Sequence, residues 1–229
     1  MNRELLTVCM EKPMRSLYTC LVALVMVALF CPVPSAHALS VGAPVRTLET
    51  GGFSLSGSIG YTTLDIRDED VTSKSFMFKG AFAGGDGIMP YLKLGFADLE
   101  AGSFEGSLDF AYGGGVLLDL VGQESDSGFR ASLDAQILWS QSSEAGNTMD
   151  VLESQLSLIG SARTGGTNAY AGFSSSFISL DGAGRNEDEN GQAHLFFGVD
   201  YFMDYNFYLN AEAHLFGQNL LNIGVGYQF

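Results

Sequence analysis

The chain has 229 residues, 46% of them hydrophobic, and a formal net charge of −15 at pH 7. So acidic a chain repels nucleic-acid backbones and anionic membrane surfaces, which excludes nucleic-acid binding. Residues 1–38 contain three basic and two acidic groups and all three cysteines, which leaves eight Lys+Arg, 24 Asp+Glu and no thiol in residues 39–229. Disulfides, cysteine nucleophiles and cysteine metal sites are therefore excluded from that part.

The N-terminus has the three-part pattern of a secretory signal peptide. Three basic residues precede an apolar run from about Leu17 to Phe30, and the small residues Ser35–Ala38 follow. The run is too short for a membrane-spanning helix, so we predict a signal peptide over residues 1–38 with cleavage after Ala38.

Two alternatives and one further segment concern this end of the chain. Translation could start at Met14, and a lipoprotein signal could use Cys31, although the bulky Phe30 before it disfavours that peptidase. Residues 39–52 contain Pro44 and show no clear periodicity. We predict that they form a leader ahead of the first strand.

From residue 53 to the C-terminus, apolar residues alternate with small or polar ones. Successive side chains of a strand point to opposite faces, so each segment has one apolar and one polar face. The last segment is the clearest, with apolar residues at every second position from Leu221 to Phe229. The ten predicted strands are Phe53–Thr63, Phe76–Phe82, Tyr91–Ala97, Gly113–Leu120, Arg130–Ser140, Leu152–Arg163, Tyr170–Phe177, His194–Tyr201, Tyr208–Leu215 and Asn219–Phe229.

Strands of about ten residues with one apolar face suit segments that cross a bilayer at a tilt. Hydrocarbon offers no partner to an open sheet edge, so such strands must close into a barrel. After residue 38 no apolar run is long enough for a spanning helix. The sequence therefore predicts an all-β, antiparallel up-and-down transmembrane β-barrel over residues 53–229, with about ten strands, or eight if two weak segments are loops.

The connections predict the orientation of this barrel. Those after odd-numbered strands, apart from the last, are the longer ones, including Asp65–Asp70, Ser143–Asp150 and Asp181–Gln192. Bacterial barrels place long loops outside the cell and short turns in the periplasm. We therefore expect protease to cut Asn186–Gly191 on intact cells, and the leader 39–52 to lie in the periplasm at the lower mouth of the barrel.

Aromatic residues gather near the predicted periplasmic ends of the last strands. Such clusters form the girdles that mark the membrane boundary of transmembrane barrels. We expect a girdle formed by Tyr201, Tyr205, Phe207, Tyr208, Tyr227 and Phe229.

Several segments resemble one known family. FFGVDYF from Phe196, NAEAHLF from Asn210 and NIGVGYQF from Asn222 look like the closing hairpins of small porin-like, opacity-protein-like bacterial outer-membrane barrels. YLKLGFADLE and FAYGGGV are similar to that family's middle strands, and Tyr227 and Phe229 match its C-terminal assembly signal.

The resemblance implies location in the cell outer membrane, in contact with outer-membrane lipid. It also implies delivery by periplasmic chaperones, insertion by the barrel-assembly machinery, and a monomer with a role in envelope integrity, adhesion or narrow passage. It brings no common catalytic residues.

Nine charged residues fall on the predicted inward faces. They could line a narrow charged channel, or they could pair into a network that fills the lumen and holds the strand register. We favour the network, because small barrels are packed inside and buried charges need partners. The residues are Lys79, Lys93, Asp119, Arg130, Asp134, Glu153, Arg163, Asp200 and Glu212.

Catalytic and metal sites have weaker support. His194 and His214 both fall on inward faces, and His214 could serve as a base beside Glu212 or a serine, but the local motifs of lipid deacylases and proteases are absent. The acidic runs Asp65–Asp70 and Glu187–Glu189 could hold divalent cations, yet neither has EF-hand spacing.

We therefore predict no catalytic, cofactor or metal site. The leading hypothesis is a structural or surface-interaction role. A narrow passive pore for small solutes is the alternative, and an outer-membrane enzyme such as a lipid deacylase is third.

Overall fold

A computed structural model describes part of the chain, and the predicted signal peptide 1–38 lies outside it. The described residues are 39–42, 51–66, 69–101, 103–121, 128–182, 185–203, 206–216 and 218–229. Among these residues there is no helix long and apolar enough to cross a membrane.

Ten long strands and two short ones make up the described chain. The short strands β4 and β5 lie in the connection between β3 and β6. The strands are β1 (Phe53–Ile66), β2 (Glu69–Phe82), β3 (Ile88–Ala97), β4 (Glu100–Ala101), β5 (Phe104–Glu105), β6 (Asp109–Val121), β7 (Phe129–Glu144), β8 (Asn147–Thr164), β9 (Thr167–Gly182), β10 (Arg185–Phe202), β11 (Phe207–Leu215) and β12 (Gln218–Gln228).

The ten long strands close into an antiparallel barrel. Each pairs with its neighbours in chain order, and β1 pairs with both β2 and β12. Closure leaves no free sheet edge, which hydrocarbon would not tolerate. The prediction of a ten-stranded up-and-down barrel is thus confirmed. We call the end that carries Phe53 and Phe229 the terminal end, and the opposite end the hairpin end.

At the hairpin end the strands run further than the sequence pattern indicates. β9 continues to Gly182 and β10 begins at Arg185, so most of the predicted loop Asp181–Gln192 is strand. The predicted loop Ser143–Asp150 is a tight turn at Ala145 and Gly146, whose φ angles are 48° and 88°. The prediction of long loops was wrong for these two segments. Their residues are mostly polar on both faces, so no apolar alternation marks the strand, although the backbone continues to pair.

A belt of outward-facing apolar side chains surrounds the barrel. Leu92 is 69% exposed and Ile59 is 66% exposed. In β8 the exposed leucines run from Leu152 to Leu158, within the length that spans hydrocarbon. Strands β7 to β10 have 16–18 residues, so they extend beyond the belt at the hairpin end.

The hydrophobic core lies inside the barrel, in two parts. At the hairpin end, Leu99, Ala101 and Phe104 of the β3–β6 connection form a group that we call the cap. The cap packs on inward-facing Val71, Met149, Val151, Ile178 and Leu180. A second cluster of Ala81, Met89, Tyr91, Leu117, Ile159, Tyr170, Phe196 and Tyr208 surrounds Val41.

Backbone contacts fasten the connection that carries the cap. Gly106 donates its N–H to the carbonyl of Leu99 at 3.0 Å, and Ser107 donates its N–H to the carbonyl of Ser143 in β7 at 3.0 Å. The Ser142 hydroxyl donates to the carbonyl of Ser107 at 2.9 Å. These bonds hold the connection across the hairpin end of the lumen.

Candidate functional site

The segment Leu39–Gly42, which we call the plug, lies inside the barrel. The side chain of Val41 is 0% exposed and Leu39 is 6% exposed. Val41 packs among the aromatic side chains of the second core cluster. The plug belongs to no strand, so no sheet pairing satisfies its backbone. Its buried N–H and C=O groups therefore need hydrogen-bond partners on the barrel wall.

Glu212 of β11 supplies acceptors for the plug. Its Oε1 accepts the N–H of Val41 at 2.8 Å, and its Oε2 accepts the N–H of Gly42 at 2.9 Å. Gly42 has φ +65°, which suits glycine and turns two successive N–H groups toward one anion. The plug thereby forms a small backbone nest around the carboxylate.

Two further side chains hold Glu212 in place. The Tyr170 hydroxyl donates to Oε2 at 2.8 Å, and Nε2 of His214 lies 2.6 Å from Oε1. The Glu212 and His214 side chains are both 0% exposed. His214 in turn stacks on His194 and Phe196, with ring centroids 5.1 and 5.3 Å away. His214, considered above as a catalytic base, is therefore enclosed together with Glu212. The hydrogen bonds around Glu212 hold the plug backbone.

Lysine and glutamine side chains bind the plug carbonyls. Lys79 Nζ donates to the carbonyl of Val41 at 2.8 Å, and Lys93 Nζ donates to that of Ser40 at 2.6 Å. Gln155 bonds both sides of Leu39: its Nε2 donates to the carbonyl at 3.0 Å, and its Oε1 accepts the N–H at 2.9 Å. The wall thus supplies a hydrogen-bond partner to at least one backbone group of each plug residue.

The structure brings six of the nine predicted lumen charges together. Among the described residues, the only ion pairs within 4.0 Å that involve any of the nine are Arg130–Asp119 and His214–Glu212. The hydrogen bonds of Lys79 and Lys93 go to plug carbonyls and, for Lys93, also to Gln136. The six buried, inward-facing residues are Lys79, Lys93, Asp134, Glu153, Asp200 and Glu212.

The other three charges lie elsewhere. Arg130 and Asp119 form their own pair toward the terminal end, with NH1 and Oδ2 3.4 Å apart. Arg163 is exposed near the β8–β9 turn, where its guanidinium lies 4.9 Å from the centre of the Phe202 ring.

Neutral donors hold two of the buried carboxylates. Asp200 accepts from Asn168 at 2.8 Å and from Asn210 at 2.7 Å. Asp134 accepts from the Tyr91 hydroxyl at 2.9 Å. These partners were not predicted from the sequence, because they carry no charge. The available signal was their position on the inward face of each strand.

Each large aromatic ring in the lumen lies against a glycine of the next strand. A Cβ on Gly198 would lie 2.2 Å from Cζ of Tyr170, and one on Gly226 would lie 2.2 Å from Cζ of Tyr208. Glycine therefore makes room for rings that cross the lumen. The four pairs, each directly opposite in register, are Tyr91–Gly115, Tyr170–Gly198, Phe196–Gly172 and Tyr208–Gly226.

This placement corrects the predicted aromatic girdle. Tyr208 is 1% exposed and belongs to the lumen, because it occupies the inward parity of β11. The ring of Tyr227 lies 4.7 Å from those of both Phe207 and Phe229 at the terminal end. Tyr201 is 54% exposed and faces outward, and Tyr205 lies outside the described residues.

Two cavities remain beside the plug. One of about 70 Å³ lies between the plug and the cap, and one of about 20 Å³ runs along the small residues of β1 and β12. These volumes hold a few water molecules at most.

Metal sites receive no support from the described residues. Among them, no group of three or more His, Cys, Asp or Glu side chains is arranged to hold a metal ion. The acidic runs Asp65–Asp70 and Glu187–Glu189 have side chains that lie outside the described part of the structure.

Comparison with known proteins finds similar folds. No protein-family model matches the sequence, and no curated protein matches it. An outer-membrane channel of Pseudomonas putida F1 is similar in structure, with a TM-score of 0.48, 11% identity, and coverage of 85% of this chain and 100% of that one.

Two further solved structures are outer-membrane barrels of other kinds. The translocator domain of the autotransporter NalP from Neisseria meningitidis has a TM-score of 0.44 at 12% identity, with 80% of this chain and 90% of that one covered. The KdgM porin has a TM-score of 0.28 at 10% identity, with 77% and 99% covered. The strand pairing of this chain itself shows the closed antiparallel β-barrel that the sequence resemblance implies.

Proposed function

We propose that this protein is an outer-membrane barrel that stays closed and serves a structural or surface-interaction role, without catalysis. The observation that supports it most directly is the occupied lumen. Glu212, Lys79, Lys93 and Gln155 bond the plug backbone, and the cap packs across the hairpin end. A barrel built to pass solutes does not need to satisfy a buried segment so completely.

In this proposal the hairpin end faces the cell exterior and the terminal end faces the periplasm. Strands β7 to β10 then project beyond the lipid belt and present hairpins for surface contacts. The apolar belt contacts outer-membrane lipid. The protein acts as a monomer that periplasmic chaperones and the assembly machinery deliver after cleavage near Ala38.

Conductance in planar bilayers tests the closed state. We expect the processed wild-type barrel to be silent, and a variant that lacks Leu39–Gly42 to conduct, because its lumen loses the plug. Folding of both proteins is checked by heat-modifiability on gels. A folded wild-type barrel with steady conductance would support the narrow-pore alternative instead.

Catalysis is tested separately through His214. Its ring contacts Glu212, His194 and Phe196 inside a closed lumen, where a lipid or peptide substrate has no access. We expect purified barrels to show no deacylase or protease activity on lipopolysaccharide or peptide substrates. Activity that His214→Ala removes, in a variant that still folds, would contradict the non-catalytic role.

A further inference from the structure

One buried carboxylate beside the plug forms no ion pair within 4.0 Å among the described residues, although Lys93 lines the same cavity. Glu153 is 6% exposed, and among the described residues its Oε1 has no hydrogen-bond partner. It lines the cavity of about 70 Å³ together with Leu39 and Ser40. A carboxylate buried in this way is costly unless a cation accompanies it.

The two lumen lysines donate their hydrogen bonds to groups other than Glu153. Lys93 Nζ donates to the carbonyl of Ser40 at 2.6 Å and to Oε1 of Gln136 at 2.7 Å. Lys79 Nζ donates to Val41 and lies 4.2 Å from the centre of the Tyr91 ring. Lys93 is near enough to attract Glu153 electrostatically, but neither lysine hydrogen-bonds its Oε1.

Leu39 lines the same cavity as this carboxylate. Its backbone nitrogen donates to Oε1 of Gln155 at 2.9 Å. In an unprocessed chain this nitrogen is a neutral peptide amide with a single N–H. The predicted cleavage site is the bond between Ala38 and Leu39, so the same atom becomes the N-terminus of the processed chain.

Cleavage changes the charge and the number of donors at this point. Hydrolysis of the Ala38–Leu39 bond consumes one water, leaves a carboxylate on Ala38, and gives Leu39 an α-ammonium with three N–H donors. One donor can keep the bond to Gln155, which leaves two for Glu153 and for water in the cavity that Leu39 and Glu153 both line.

We infer that Glu153 is the counter-ion of the Leu39 α-ammonium, so that the processed N-terminus is an anchored part of the lumen. This inference rests on the proposed closed barrel and on cleavage after Ala38. It adds a residue-specific site to that proposal: a binding site for the chain's own amino terminus. The ion pair forms only after the signal segment has been removed.

The test compares free and acetylated N-termini. Barrels purified from membranes are first checked by intact mass, which is expected to begin at Leu39. Unfolded chains are then acetylated near pH 6.5, where an α-amine with a pKa of about 8 reacts and lysines of pKa about 10 stay protonated. Both forms are refolded, for wild type and for Glu153→Gln.

The readout is the temperature at which half of the barrel loses its folded mobility on gels. We expect acetylation of wild type and the Glu153→Gln substitution each to lower it by roughly 5 °C or more, and acetylation to add little in Glu153→Gln. Glu105→Gln, an exposed position in β5, is the matched control and stays unchanged.

Three results would overturn the inference: a mature N-terminus other than Leu39, no effect of acetylation on wild type, or an equal effect in Glu153→Gln. Conductance of the same samples separates this failure from that of the proposed function. A wild-type barrel that does not conduct and is insensitive to acetylation would contradict the ion pair alone. A wild-type barrel that conducts would contradict the closed state, and the inference with it.

Discussion

The ring of Tyr170 lies against Gly198 of the neighbouring strand, and its hydroxyl donates to Glu212 at 2.8 Å. The glycine lets the ring cross the lumen, and the hydroxyl then reaches the carboxylate that binds the plug. Asn210 donates to the same hydroxyl at 2.9 Å. A position without a side chain on β10 thus determines where a functional carboxylate on β11 is held.

Gly198→Ala is expected to lower the free energy of unfolding by about 1–3 kcal/mol, the usual cost of overpacking. The new Cβ would lie 2.2 Å from Cζ of Tyr170, so the ring must move away from Glu212. Gly160→Ala is the control, because its Cβ would have no neighbour closer than 3.7 Å. Urea unfolding in detergent measures both, and equal stabilities would show that the ring has room to move.

Glu212→Gln is expected to destabilise the barrel by about 3–5 kcal/mol, because it removes a buried charge whose oxygens accept four hydrogen bonds. The amide nitrogen of the glutamine would face an N–H or O–H donor in either orientation. We also expect conductance to appear as the plug loosens. Glu105→Gln again serves as the exposed control. Unchanged stability and a silent bilayer would argue against the nest around Glu212.

Phe104→Ala is expected to open the cap, because a buried aromatic ring is lost from its apolar cluster. The processed chain has no cysteine, so Ser140→Cys places a single thiol beside the larger cavity. A membrane-impermeant maleimide added to intact cells should label this thiol slowly in the wild-type background and faster with Phe104→Ala.

Asn147→Cys, at the exposed start of β8, is the matched control and should be labelled quickly in both backgrounds. Equal labelling of the thiol at position 140 with and without Phe104 would show that the cap does not close the lumen.

Epitope tags at two turns test the orientation. A tag between Ala145 and Gly146 lies at the hairpin end, and one between Gly165 and Gly166 lies at the terminal end. Both are two-residue turns, so each tag perturbs the fold to a similar degree. Antibody is expected to stain intact cells only for the first tag, and the reverse pattern would invert the topology. These turns replace Asn186–Gly191 as the test site, since that segment belongs to β10.

Phe229→Ala is expected to reduce the folded fraction recovered from membranes while leaving stability after refolding in detergent within about 0.5 kcal/mol. Phe229 is 70% exposed, and its ring lies against those of Phe53 and Tyr227. Phe207→Ala, which removes another exposed ring of that group, is the control. Equal recovery of both variants would count against Phe229 as an assembly signal.

Most of the wall of the barrel could be predicted from the sequence. Alternation at a period of two places Leu221, Ile223 and Val225 on one face and Asn222 on the other, and pairing with β1 and β11 preserves that parity. The pattern failed where both faces become polar, as in Ser143–Asp150 and Asp181–Gln192. There the backbone continues to pair although no apolar face marks the strand.

The sequence by itself determined that ten segments are two-faced, and that Lys79, Lys93 and Glu212 point inward, because strand parity is a local property of the chain. Only the tertiary structure decided which groups these side chains meet. The plug lies 171 positions from Glu212 in the chain and carries no periodic signal, since its own backbone provides the contacts. Barrel closure brings the plug and Glu212 together. Almost any residue can supply a backbone N–H, so this contact cannot be predicted from the residue types in the plug.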